Sequence, residues 1–112
     1  MDCIFCQIVK GEKPARKFFE NDDIIVFADI LPRAVIHLLI CPKKHYTSLL
    51  ELPDELAIRM LETARLIARE LGLEKNFRLV LNNGAAAGQI VAHIHFHFMS
   101  NASGVKVSYK DD

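Results

Sequence analysis

His93-Ile94-His95-Phe96-His97-Phe98-Met99 (HIHFHFM) alternates histidine with apolar residues over seven positions. Successive side chains of a strand point to opposite faces, so His93, His95 and His97 share one face while Ile94, Phe96 and Phe98 share the other. The apolar set is expected to face the core. The segment thus reads as the final strand of the chain, carrying three of the protein's five histidines on one side.

Working outward, Asn82 to Gln89 (NNGAAAGQ) reads as a loop of small residues, and Phe77 to Asn82 (FRLVLN) as a strand before it. From Pro53 to Leu71, the residues Leu56, Met60, Leu61, Ala64, Ile67, Ala68 and Leu71 recur at helical spacing. Pro53, Asp54 and Glu55 open this helix, and Gly72 closes it. Earlier, RKFFE (Arg16 to Glu20), the turn-like NDD and IIVFADI form a hairpin pattern, and HLLI (His37 to Ile40) a third strand that Pro42 stops. The order β-β-β-α-β-β predicts an α+β domain, an antiparallel five-stranded sheet with one long helix on a face.

A chain of 112 residues suits one domain with a single core. With 51% hydrophobic and 25% charged residues and a formal net charge of zero, it is of the ordinary globular class. Fourteen basic residues balance fourteen acidic ones, which argues against a nucleic-acid polymer as partner. The longest apolar runs, such as AVIHLLI, are far below the roughly 20 residues that span a bilayer, and no signal peptide is evident. Three cysteines, Cys3, Cys6 and Cys41, are too few for a disulfide framework and fit a reducing, cytoplasmic setting.

The histidine row invites a metal, but its first and last members lie about 13 Å apart along an extended strand, too far for one ion to hold all three. A metal on one or two of them stays open. Imidazole, with an ordinary pKa of about 6.5, also suits nucleophilic or acid–base work, and phosphorus is a natural target. The loop before the strand would let an anion approach backbone amides.

These residues resemble the histidine triad (HIT) family, whose signature His-x-His-x-His is matched by His93, His95 and His97. The likeness extends to CIFCQIVKGEKPA, FADILP, HLLICPKKH, the long helix and NNGAAAGQ, and so to a single HIT domain over residues 1–112. It implies a nucleotide-binding hydrolase of the purine nucleoside phosphoramidase type, in which His95 attacks the α-phosphate to form a nucleotidyl-histidine and water then releases AMP or GMP. His97, His37 and Gln89 complete the implied catalytic group. Phe27, Asp29, Ile30, Asn82, Gly88 and Gln89 are the implied substrate contacts. On pattern alone Asp29 would be a turn cap, and Phe27 and Ile30 core residues.

Cys3-x-x-Cys6 admits a redox pair, a zinc half-site or two packed thiols. The resemblance implies structural zinc held by Cys3, Cys6, His45 and His93, and a homodimer paired through the long helix and FRLVLN, an apolar edge that would otherwise be a liability. Cys41 reads as a buried strand residue. Ile90 stands where relatives often carry a polar group, Val35 replaces a common proline, and Ala85 to Ala87 replace a more polar loop. The alternatives are a dinucleoside polyphosphate hydrolase, a nucleotide-binding regulatory module with little turnover, and a purely metal-binding protein.

Overall fold

The computed structural model describes residues 3–110. In chain order the elements are helix α1 (Ile4–Val9), strands β1 (Lys17–Glu20), β2 (Ile24–Ala28) and β3 (Ile36–Pro42), helix α2 (Asp54–Glu70), strand β4 (Arg78–Leu81), a single 3-10 turn (Ala85–Ala87) and strand β5 (Phe96–Ser100). The strands form one antiparallel sheet in the order β1-β2-β3-β5-β4. This is the α+β, five-stranded architecture expected from the element order.

The first hairpin turns where Asn21 Oδ1 accepts from the backbone N–H groups of Asp23 (2.9 Å) and Ile24 (2.8 Å), a side-chain mimic of a turn. β3, the central strand, is buried along its whole length, with register Ile24↔Pro42 to Ala28↔Leu38 on one side and Ile36↔Ser100 to Ile40↔Phe96 on the other. On one sheet face Leu38, Ile40, Ile94, Phe96 and Phe98 meet Met60, Ala64, Ile67 and Ala68 of α2. Those helix positions recur at i, i+4, i+7 and i+8, and so form the single buried stripe of an amphipathic helix. Phe98 is fully buried and stacks on Phe77 with centroids 4.9 Å apart; its truncation to Ala is expected to cost about 3–5 kcal/mol.

The opposite face holds a second, smaller cluster: Phe5 and Ile8 of α1 with Ile25, Phe27, Leu39 and Cys41. α1 was not foreseen, because six residues are too few to show a helical period. Its first turn is capped by a sulfur, Cys3 Sγ accepting from Cys6 N–H at 3.4 Å.

The last strand is shorter than the alternation suggests. Its ladder begins at Phe96, although Ile94, Phe96 and Phe98 do share the core face. Continuing the β3–β5 register would set Ile94 against Pro42, which has no N–H to give. The Ile94 N–H goes instead to the Tyr46 carbonyl at 2.7 Å.

The two sheet edges differ. Beside β1 the Lys110 N–H donates to the Lys17 carbonyl at 2.6 Å, while Ala102, Val105, Val107 and Tyr109 pack on the core. β4 forms the other edge, with Arg78 exposed and Leu79 to Leu81 half-buried.

Candidate active site

The histidine row is roofed. His37, His93, His95 and His97 are only 3%, 0%, 6% and 7% exposed, and the Phe5 ring meets His93 and His95 edge-on at centroid distances of 5.6 and 5.0 Å. A polar stripe facing water is therefore excluded. Buried imidazoles need partners, and among the described residues no side-chain nitrogen or oxygen fully cut off from solvent lacks one.

Those partners dictate where the ring protons lie. His95 Nδ1 is 2.7 Å from the His93 carbonyl, which can only accept, so Nδ1 carries the proton. His95 Nε2 keeps its lone pair and has no protein partner among the described residues. His37 Nδ1 accepts from the Arg33 backbone N–H at 3.0 Å, so its proton is on Nε2. That Nε2–H donates to His97 Nδ1 at 2.8 Å, with Asp29 Oδ2 at 3.3 Å from the same nitrogen. His97 is left with Nε2 as its donor, and its ring lies 4.8 Å from that of His95. A ring with a bare nitrogen and a ring with a proton-bearing nitrogen thus stand side by side, the second oriented by a chain running through His37 to Asp29.

Burial holds all four histidines below their ordinary pKa, because a charged ring loses its water. For His97 the charges of His95 and His37 add to burial and bring the value to about 4. For His37 the Asp29 carboxylate opposes the effect of burial without cancelling it.

Asp29 closes the β2 end as a turn cap, Oδ1 accepting from Leu31 N–H at 2.9 Å, while its other oxygen meets His37. The turn-cap reading of Asp29 thus holds, and its second oxygen adds a contact to His37 that pattern alone does not foresee. Phe27 is a core residue of the α1 face, in edge contact with Phe5 at 5.3 Å. Ile30 is 88% exposed, which corrects its assignment to the core by pattern. Its neighbours Asp29 and Leu31 belong to a loop beyond the last strand residue, so the alternation of β2 no longer governs it.

In the loop after β4, Gln89 is spent on its own surroundings: Oε1 accepts from Gly84 N–H at 2.7 Å, and Nε2 donates to the carbonyls of Val91 (3.0 Å) and Thr47 (3.2 Å). Gly88 has φ of +96° and lies against the Asn82 side chain, where a Cβ would stand 3.8 Å from Nδ2. The left-handed backbone there favours glycine. Ile90 is 93% exposed.

At the other end of the row Cys3, Cys6, His45 and His93 converge, their ligand atoms all within 4.8 Å of one another. Cys3 Sγ and Cys6 Sγ lie 3.4 and 3.6 Å from His93 Nδ1, and Cys6 Sγ lies 3.3 Å from His45 Nδ1. A tetrahedral zinc with bonds of about 2.3 Å to sulfur and 2.05 Å to nitrogen has sulfur–nitrogen edges of about 3.6 Å, so the spacing fits. His93 Nε2–H donates to the Pro42 carbonyl at 2.7 Å, which turns the bare Nδ1 towards the sulfurs. Asp29, His37 and His97 also lie within 4.8 Å, but His37 Nε2 must keep its proton while Nδ1 accepts from Arg33. That second group does not suit a metal.

Sequence reasoning named these side chains; it missed Phe5, the Arg33 amide and the carbonyls of His93 and Pro42. Phe5, between the two cysteines, offered a faint apolar signal, whereas backbone groups leave none.

A HIT domain model matches residues 10–104. The chain is similar to a HIT family hydrolase from Legionella pneumophila, with TM-score 0.85 and 40% identity over 91% of this chain and 95% of that one. A zinc-bound histidine triad family protein from Mycobacterium smegmatis gives TM-score 0.83 and 36% identity, covering 100% of this chain and 84% of that one. An adenosine 5'-monophosphoramidase of Schizosaccharomyces pombe is 39% identical over 99 residues, 88% of this chain and 74% of that protein. With its antiparallel sheet and its row of buried histidines, the chain belongs to the HIT family, whose relatives support a nucleotide hydrolase in the broad sense.

Proposed function

We propose that this protein, acting as one domain over residues 1–112, hydrolyses nucleoside 5'-phosphoramidates or related nucleotidyl conjugates. The observation that carries this reading is the proton pattern: His95 Nε2 bare beside His97 Nε2–H. His95 Nε2 attacks the α-phosphorus, the bond from phosphorus to the leaving amine breaks, and His97 Nε2–H gives that amine its proton. Water then attacks the phosphorus of the nucleotidyl-histidine, passes a proton to His97 and frees His95 and the nucleoside monophosphate. His37 and Asp29 hold the His97 ring in the required tautomer.

Asp29 would also receive the ribose, Phe27 and Ile30 the base, and the Asn82, Gly88 and Gln89 loop the phosphate. Gln89 supports this by bracing the loop through its three side-chain bonds. Cys3, Cys6, His45 and His93 would hold a structural zinc, which would tie α1 to the segment leading into β5. In the proposed homodimer a second copy pairs along β4 and the outer face of α2, where Ile58 and Leu61 are exposed. We place the protein in the cytoplasm, its three thiols reduced; among the described residues no helix is long and apolar enough to cross a membrane.

Incubation with adenosine 5'-phosphoramidate is expected to release AMP, and an acid-labile nucleotidyl adduct on His95 should accumulate on rapid mixing. Release of AMP by His95→Ala at the parent rate would reject the mechanism.

A further inference from the structure

The loop from β2 to β3 encloses the His37 ring, yet it has little framework of its own. Among the described residues no backbone–backbone hydrogen bond involves residues 30–35. Its amides go to side chains instead, at every second position: Leu31 N–H to Asp29 Oδ1 at 2.9 Å, Arg33 N–H to His37 Nδ1 at 3.0 Å and Val35 N–H to Asn101 Oδ1 at 3.0 Å. Two of these acceptors belong to the candidate site. Asn101 is the third, and it comes from outside.

The sheet register explains why Asn101 is there. β3 and β5 pair Ile36 with Ser100, so the next pair outward is Val35 with Asn101. The ladder ends at that point, and a side-chain oxygen takes the amide that no backbone carbonyl reaches. Asn101 follows directly on the strand that carries His97. Its bond therefore fastens the loop around His37 to the strand that His37 must meet.

The identity of residue 35 gives the bond its meaning. Val35 stands in place of a proline common in the family. Proline fixes φ at about −65° and has no N–H, so it stiffens a loop without needing a partner. Valine leaves φ freer and brings an amide that requires an acceptor. Only Ala34 separates Val35 from Arg33, whose N–H decides which nitrogen of His37 is bare.

We propose that Asn101 is a positioning residue of the candidate site. Through Val35 it holds the Arg33 amide on His37 Nδ1, and so keeps the His37 proton on Nε2, where it meets His97. It does by a hydrogen bond what a proline at position 35 would do by its ring. The kinetic consequence rests on the hydrolase reading above; the placement of the ring proton does not.

Asn101→Ala tests this without altering any residue placed in the site. The bond is exposed, so its loss leaves the core packing intact. Amide exchange at Arg33 is expected to quicken about three- to tenfold, the span of one net hydrogen bond. Ring-nitrogen NMR spectra of His37 should change from one tautomer to a mixture. The kcat for adenosine 5'-phosphoramidate should fall by a similar factor with KM unchanged. Adding Val35→Pro to Asn101→Ala should restore the single tautomer and the rate, and Val35→Pro alone should match the parent, a non-additivity that independent effects would not give. Unchanged Arg33 exchange and an unchanged His37 tautomer in Asn101→Ala overturn the proposal, since water would then serve as well as the side chain. So does exchange that quickens equally along β3 and β5, which is a global loss of stability. A tautomer mixture that persists in the double variant overturns it as well. A protein whose Arg33 exchange and His37 tautomer respond in this way, yet which releases no AMP from phosphoramidate, would refute the hydrolase reading and leave the role of Asn101 standing.

Discussion

The two ends of the histidine row are made of the same residue type and behave as opposites. At the His93 end a carbonyl takes the Nε2 proton, so Nδ1 is bare and meets two thiols and a second histidine. At the His97 end a backbone N–H occupies His37 Nδ1, so Nε2 bears a proton and passes it towards His97. Each group gathers its ligand atoms within 4.8 Å, so proximity alone would call both metal sites. What separates them is which nitrogen already has a backbone partner. A single backbone contact behind each ring thus converts one cluster into a set of lone pairs and the other into a proton chain.

Exchanging His95 for Ala should break the comparison most severely, since His95 lies between the clusters and belongs to neither. Hydrolysis of adenosine 5'-phosphoramidate should fall on the order of 10⁴-fold or more, with zinc content by metal analysis unchanged. Zinc lost together with activity would mean that the two ends are not separable.

Cys3→Ser, Cys6→Ser attacks the other end. It should strip bound zinc and lower the thermal midpoint by about 10 °C or more, as should a chelator added to the parent. Equal midpoints and equal metal content would remove the proposed zinc.

Within the proton chain, His37→Leu should cost about 10²-fold in kcat, whereas His37→Gln, which keeps an amide donor, should lose less. Equal losses would deny that the His37 proton matters.

Acidity supplies a finer test. His97 titrates at about 4 in the folded protein against 6.5 as its ordinary value, so the unfolded chain binds the proton first as pH falls. Stability attributable to His97 is complete above 6.5, declines as pH falls towards 4 and changes no further below it. The thermal midpoint of the parent should therefore drop more steeply over that window than that of His97→Gln. The smallest effect is expected at Ile90, whose side chain is 93% exposed: Ile90→Ser should change stability by under about 0.5 kcal/mol and raise turnover modestly, measured by denaturant titration and steady-state rates.

Much of the architecture was legible in the chain because α2 is long enough to show its period and the strands show theirs. The shared face of His93, His95 and His97 followed from alternation, and persists although the ladder starts only at Phe96. α1 was hidden by its shortness, and the exposure of Ile30 by a loop that breaks the alternation of β2.

By itself the sequence determined the α+β order, the apolar and histidine faces of the last segment, and the inventory of thiols and imidazoles that could act. Only the tertiary structure decided which of them meet. His45 and Cys6 stand 39 positions apart in the chain, and His37 and His97 stand 60 apart, yet each pair is in contact. Residue identity sets what an imidazole is able to do; the carbonyl or amide that the fold places behind it sets which nitrogen does it.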